Sequence, residues 1–131
     1  MASCAASVLA DPPQYQIIDM GVVAAGDSAS QGFRVSNNGV ATGRSFRTGA
    51  TQAFSWTQGG GIIGLPNLAS PARAYGVGNG VNDNGIVVGT GSTTSFGSNP
   101  LPLIWSNGVV SQLALPDGQS FGRANDVNSG N

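Results

Sequence analysis

The sequence predicts an all-β chain of short antiparallel strands, repeated about every 46 residues as β-propeller-like blades. Three observations carry that expectation. Gly and Pro are dense, at 21 and 7 of 131 residues, so tight turns are frequent and no window sustains helical apolar spacing without a break. Short apolar runs bounded by Gly or Pro recur along the chain, the pattern of half-buried or enclosed strands. One stretch also repeats: Val35-Ser36-Asn37-Asn38-Gly39-Val40-Ala41-Thr42-Gly43 aligns with Val81-Asn82-Asp83-Asn84-Gly85-Ile86-Val87-Val88-Gly89, an offset of 46 residues.

Taken in order, residues 1–13 read as a residual export segment or tail. Residues 5–10 are small and apolar ahead of Asp11-Pro12-Pro13, like the end of a secretory signal. Met1-Ala2-Ser3-Cys4 has the small-residue-then-Cys pattern of a lipidation site, and Cys4 is the only cysteine, so the chain forms no internal disulfide.

Residues 15–61 form repeat 1, residues 62–110 repeat 2 and residues 111–131 a partial repeat 3. The apolar runs Tyr15-Gln16-Ile17-Ile18, Ile62-Ile63-Gly64-Leu65 and residues 109–115 are expected strands. Asn38-Gly39 and Asn84-Gly85 sit between the next two strands of each copy, where Asn-Gly supplies the positive φ angles of a type I′ hairpin turn. Asn107-Gly108 marks another hairpin and Asp117-Gly118 a further turn. Ala53-Phe54-Ser55-Trp56 answers Pro102-Leu103-Ile104-Trp105, and Val127 opens the third copy. The expected core is Ile17, Val35, Val40, Trp56, Ile63, Val81, Val87, Trp105, Leu113 and Val127.

About four strands in 40–50 residues is the arithmetic of a propeller blade. A ring of six or seven such blades needs on the order of 300 residues. The 131 residues hold fewer than three copies, so open strand edges are expected to invite self-association or pairing with neighbouring repeats.

The succession of Asp19-Met20-Gly21, Val35 to Gly43, Ala53-Phe54-Ser55-Trp56, Val81 to Gly89 and Pro102 to Trp105 resembles the HAF repeat of bacterial extracellular repeat proteins. It departs from that pattern at Ser36, at Leu103-Ile104 and in having no His ahead of either Trp. The resemblance covers about residues 15–131 and implies secretion and a propeller-like architecture; the family carries no generally established activity.

Charge is scarce and selective. Six Asp and five Arg supply all of it, with no Lys, Glu or His, which excludes histidine general-base chemistry, imidazole metal sites, Schiff bases and a P-loop lysine. A net charge of −1 removes the basic footprint that nucleic acid requires, and no apolar run approaches the roughly 18 residues that span a bilayer. The expectation is a non-enzymatic chain without cofactor or metal, a secreted structural, adhesive or self-assembling β-repeat protein. The alternative is a carbohydrate- or ligand-binding module.

For that alternative the candidate residues are Trp56 and Trp105, which could stack on sugars, and Asn82, Asp83 and Asn84, whose oxygens superficially resemble a calcium loop. Each also has a plain structural reading: repeated core aromatics for the tryptophans, and turn formation for Asn82-Asp83-Asn84. No Glu is available to complete an EF-hand set. The five Arg read as solvated surface charges, with anionic glycans as the minor alternative.

Overall fold

The computed structural model describes residues 11–68, 75–93 and 98–130. Residues 1–10 of the export segment, with Cys4, and also Arg73 and Asn131 lie outside the described residues. Eight strands follow in order: β1 (Ala29–Val35), β2 (Ala41–Arg47), β3 (Ala50–Thr57), β4 (Gly61–Gly64), β5 (Tyr75–Val81), β6 (Val87–Ser92), β7 (Leu101–Ser106) and β8 (Val109–Gln112). Among the described residues there is no helix, and hence none long and apolar enough to cross a membrane.

The strands make one open sheet, β1-β2-β3-β5-β6-β7-β8, with β4 attached to β3. Its two halves, β1–β4 and β5–β8, are antiparallel meanders joined through a single parallel pair, Thr51 with Tyr75. The sheet is not closed into a propeller. The sequence expectation of purely antiparallel pairing fails at that junction, where the chain returns from β4 to start β5 beside the beginning of β3.

Register is alike in the two halves. Across the first half runs the row Val35–Ala41–Trp56–Ile62, and across the second the row Val81–Val87–Trp105–Val110. Pairing slips between Gly32 and Arg34 in β1 and between Gly78 and Gly80 in β5. These are bulges with one extra residue, Phe33 and Asn79, on the first strand of each half. Opposite them stand Gly43 and Gly89, where a Cβ would collide with the carbonyl oxygens of Gln31 and Val77.

Turn chemistry corrects one expectation. At Asn38-Gly39 and Asn84-Gly85 only the glycines have positive φ, 77° and 75°. Gly39 N–H donates to Ser36 O and Gly85 N–H to Asn82 O, which makes each loop a three-residue turn ending in a left-handed glycine. The doubly positive geometry of type I′ appears instead at Asn107 (φ 51°) and Gly108 (φ 78°), in the two-residue β7–β8 hairpin.

The main core lies between the halves. Ala53 and Leu65 from the first half meet Val81, Val87, Leu103 and Trp105 from the second, with Val40, Leu68, Leu101 and Val110 packed around them. β5 is buried except at the half-buried Tyr75 and Asn79 because the first half covers it, and a Cβ on Gly78 would strike the Thr42 hydroxyl. Of the expected core, Val81, Val87 and Trp105 are buried, whereas Val40, Trp56, Leu113 and Val127 are half-buried.

Ile17, Val35 and Ile63 are exposed, at 98%, 67% and 58%. The residues Tyr15-Gln16-Ile17-Ile18 form no strand: they have the apolar pattern but, among the described residues, no partner strand beside them. Val35 and Ile63 sit on outer strands and stay more than half exposed.

Candidate functional site

The Asn-Gly turns of the two halves stack on one another, and a segment near residue 129 joins the same column. Asp83 is the hub. Its Oδ1 accepts the Asn37 backbone N–H at 2.8 Å, and its Oδ2 accepts the Asn37 side-chain amide at 3.0 Å. The Asp83 carbonyl accepts the Asn38 side-chain amide at 2.8 Å, and Ser129 Oγ donates to Oδ2 at 3.3 Å. Hydrogen bonding to the ionised form, led by the Asn37 side chain, holds the Asp83 carboxyl below its ordinary value.

Asn82 shapes the turn that presents Asp83. Its buried Oδ1 accepts the backbone N–H groups of Asn84 and Ile86, both at 3.0 Å, which ties the loop to its own first residue. Its Nδ2 reaches outward to Asn128 O at 3.1 Å. One step away Asn79, the bulge residue of β5, donates to Ala124 O at 2.9 Å, while Ala124 N–H donates to Gly89 O at 3.2 Å. Residues 124–129 are thereby laid across the second half. The contacts Asn37–Asp83, Asn82–Asn128 and Asp83–Ser129 all span 46 residues, the period of the sequence.

The carboxylate of Asp83 and the amide oxygen of Asn82 are thus occupied by donors within the chain. A calcium ion at Asn82-Asp83-Asn84 would have to displace those donors. Asn84 is exposed at the turn tip.

The two tryptophans differ. Trp105 is 1% exposed, and its indole N–H donates to Pro66 O at 2.7 Å, so neither ring face is open for stacking on a sugar. Trp56 is half-buried on the opposite, outward face of the first half. A cleft of about 350 Å³ opens between the halves, walled by Ser55, Ile63 and Leu65 on one side and by Asn84, Ile86 and Trp105 on the other. The structure therefore brings Asn84 and Trp105 to one cleft, puts Asn82 and Asp83 in the turn ladder, and leaves Trp56 outside both.

Sequence reasoning missed the donors Asn37 and Ser129, although the 46-residue alignment sets them in the same column as Asp83. Asp27, its side chain 5% exposed, accepts from Ser45 Oγ (2.6 Å), Ala24 N–H (3.2 Å) and Arg47 (3.0 Å), which fastens the chain before β1 to β2. Arg44 is more than a solvated charge, since its guanidinium bonds Gln31 and lies 5.8 Å and 5.2 Å from the ring centres of Phe33 and Phe46. No family model matches the chain, and neither curated proteins nor solved structures give a match.

Proposed function

We propose that the chain is a non-catalytic structural module of a secreted, HAF-like β-repeat protein, built of blade-like copies that lock to one another and assemble with further copies. The observation that carries this reading is the turn ladder, in which residues 46 apart bond in succession, Asn37 to Asp83 and Asp83 to Ser129. The like registers and bulges of the two halves support it. The use of Asp19, Asp27, Asp83 and Asp126 as acceptors for neighbouring groups of the chain supports it too, because these carboxylates serve folding. Sedimentation of the purified chain over a concentration series tests it. Discrete or growing oligomers are the expected result, and a monomer at every concentration overturns the assembly part of the reading.

A second reading is favoured by the cleft between the halves. Its aliphatic floor and its rim of Asn84, Ser55, Ser106 and Asn107 suit a neutral saccharide, which needs amide and hydroxyl partners over an apolar surface. A glycan array probed with the chain and with Asn84→Ala tests this. Binding lost in the variant supports a lectin-like role, and silence of the unaltered chain removes it.

A further inference from the structure

Four Asn-Gly pairs punctuate the chain, at Asn38-Gly39, Asn79-Gly80, Asn84-Gly85 and Asn107-Gly108. The pair is distinctive chemically as well as conformationally. With no Cβ on the glycine in the way, the glycine backbone nitrogen can close a five-membered imide ring on the asparagine side-chain amide. Closure needs two freedoms: the asparagine side chain must be able to turn toward that nitrogen, and the glycine N–H must be able to give up its proton.

The fold withholds one or both from three of the pairs. At Asn38 the side-chain amide is held by Asp83 O at 2.8 Å, and Gly39 N–H donates to Ser36 O at 3.0 Å. At Asn79 the amide is held by Thr90 Oγ1 at 3.1 Å and Ala124 O at 2.9 Å, and Gly80 is buried away from solvent base. At Asn84 the side chain is exposed, but Gly85 N–H donates to Asn82 O at 3.0 Å. Asn107-Gly108 has both freedoms. The two residues are exposed at the tip of the β7–β8 hairpin, and among the described residues neither the Asn107 side chain nor Gly108 N–H has a hydrogen-bond partner. A two-residue type I′ turn leaves the glycine N–H outside the ladder that closes at Ser106 and Val109.

We propose that Asn107 is a self-modification site, which converts to an acidic residue in the folded chain ahead of the other three. Solvent hydroxide removes the Gly108 N–H proton, the nitrogen bonds to Asn107 Cγ, and Nδ2 leaves as ammonia. Water then opens the imide. Breaking the bond from Cγ to the nitrogen gives aspartate with the original backbone; breaking the bond from the main-chain carbonyl carbon gives isoaspartate, with the backbone rerouted through Cβ and Cγ. In sum one water is consumed and one ammonia released, with no change of oxidation state.

The two products have different structural effects. Asp-Gly suits the same turn, so aspartate keeps the hairpin. Isoaspartate lengthens the backbone of a two-residue loop whose spacing sets Ser106 opposite Val109, and so loosens β8, whose Val110 pairs with Trp105 and packs on the core. Either product places a negative charge on the rim of the cleft between the halves, where Asn107 stands with Asn84. The inference depends neither on self-assembly nor on saccharide binding.

The test ages the purified chain at mildly alkaline pH, folded and in urea, and follows each Asn-Gly peptide by mass spectrometry with fragmentation that separates aspartate from isoaspartate. In the folded chain Asn107 is expected to convert about tenfold faster than Asn38, Asn79 or Asn84, at a rate that rises with pH and with both products present. In urea the four rates are expected to converge. Conversion of any other pair as fast as Asn107 in the folded chain overturns the proposal, as does an Asn107 that stays intact when folded while the unfolded chain reacts. Aspartate without isoaspartate overturns the imide route.

Discussion

Two rows of side chains, set in the same register on the same pattern of strands, have opposite fates in this molecule. Val81, Val87 and Trp105 are buried, at 7%, 1% and 1% exposure, whereas their counterparts Val35 and Trp56 remain open or half-open and only Ala41 is covered. Strand type, turn type and bulge position do not differ between them. What differs is the neighbour: the first half lies over the second row, whereas residues 20–23 lie beside the first and approach it at Ile62. Burial here belongs to the packing of one half on the other more than to either half alone.

The tryptophans offer the largest test of that contrast. Trp105→Ala is expected to cost about 3–5 kcal/mol, the range for deleting a large aromatic from a core. Trp56→Ala is expected to cost about half as much, since part of its ring already meets water. Urea titrations of the two variants under conditions that keep the chain monomeric check this, and equal costs would dissolve the distinction between the rows.

The bulged strands give the next effect. Gly78→Ala drives a methyl group into Thr42 across the contact between the halves and is expected to destabilise by about 1–3 kcal/mol through overpacking. Gly32→Ala meets only the flexible end of Met20, at 3.1 Å, and is expected to stay within ~0.5 kcal/mol of the unaltered chain. Thermal melts of the pair measure the difference.

Asp83 sharpens the comparison from the side of the turns. Its folded carboxyl titrates below the ordinary 3.8, so folding favours the ionised form. That stabilisation is complete above the ordinary value and is lost as the pH falls through the lowered folded value. Asp83→Asn is therefore expected to melt lower at neutral pH and to show a shallower loss of stability in acid; an unchanged acid limb would place the titration elsewhere. Ser129→Ala removes only the 3.3 Å exposed contact and is expected to shift stability by less than ~0.5 kcal/mol.

Much of this was legible in the amino acids, for identifiable reasons. Turns announce themselves locally, and Gly39, Gly85, Gly108 and Gly118 all take the positive φ that their positions call for. The type of the first two turns was misjudged because Asn-Gly also suits a three-residue loop in which the glycine alone is left-handed. Strand content was legible wherever a partner strand follows closely in sequence. Tyr15-Gln16-Ile17-Ile18 has the right composition without the partner, and the composition alone does not make a strand. The unequal burial of Trp56 and Trp105 was not legible at all, because two like positions separate only through what packs over them. The turn column was half legible: the alignment names Asn37, Asp83 and Ser129 as equivalent, but that equivalent residues touch depends on the closeness of the stack.

That column carries a consequence for the order of units. Asn, Asp and Ser succeed one another along it, so the one acid has a neutral donor on either side. A second acid in an adjoining place would set like charges against each other, and a column with no acid would lose the carboxylate that takes both the backbone N–H and the side-chain amide of Asn37. Units with different residues at this place are consequently not interchangeable bricks. Exchanging the residues among these three places would keep the shape of the turns and break the match of their polarity.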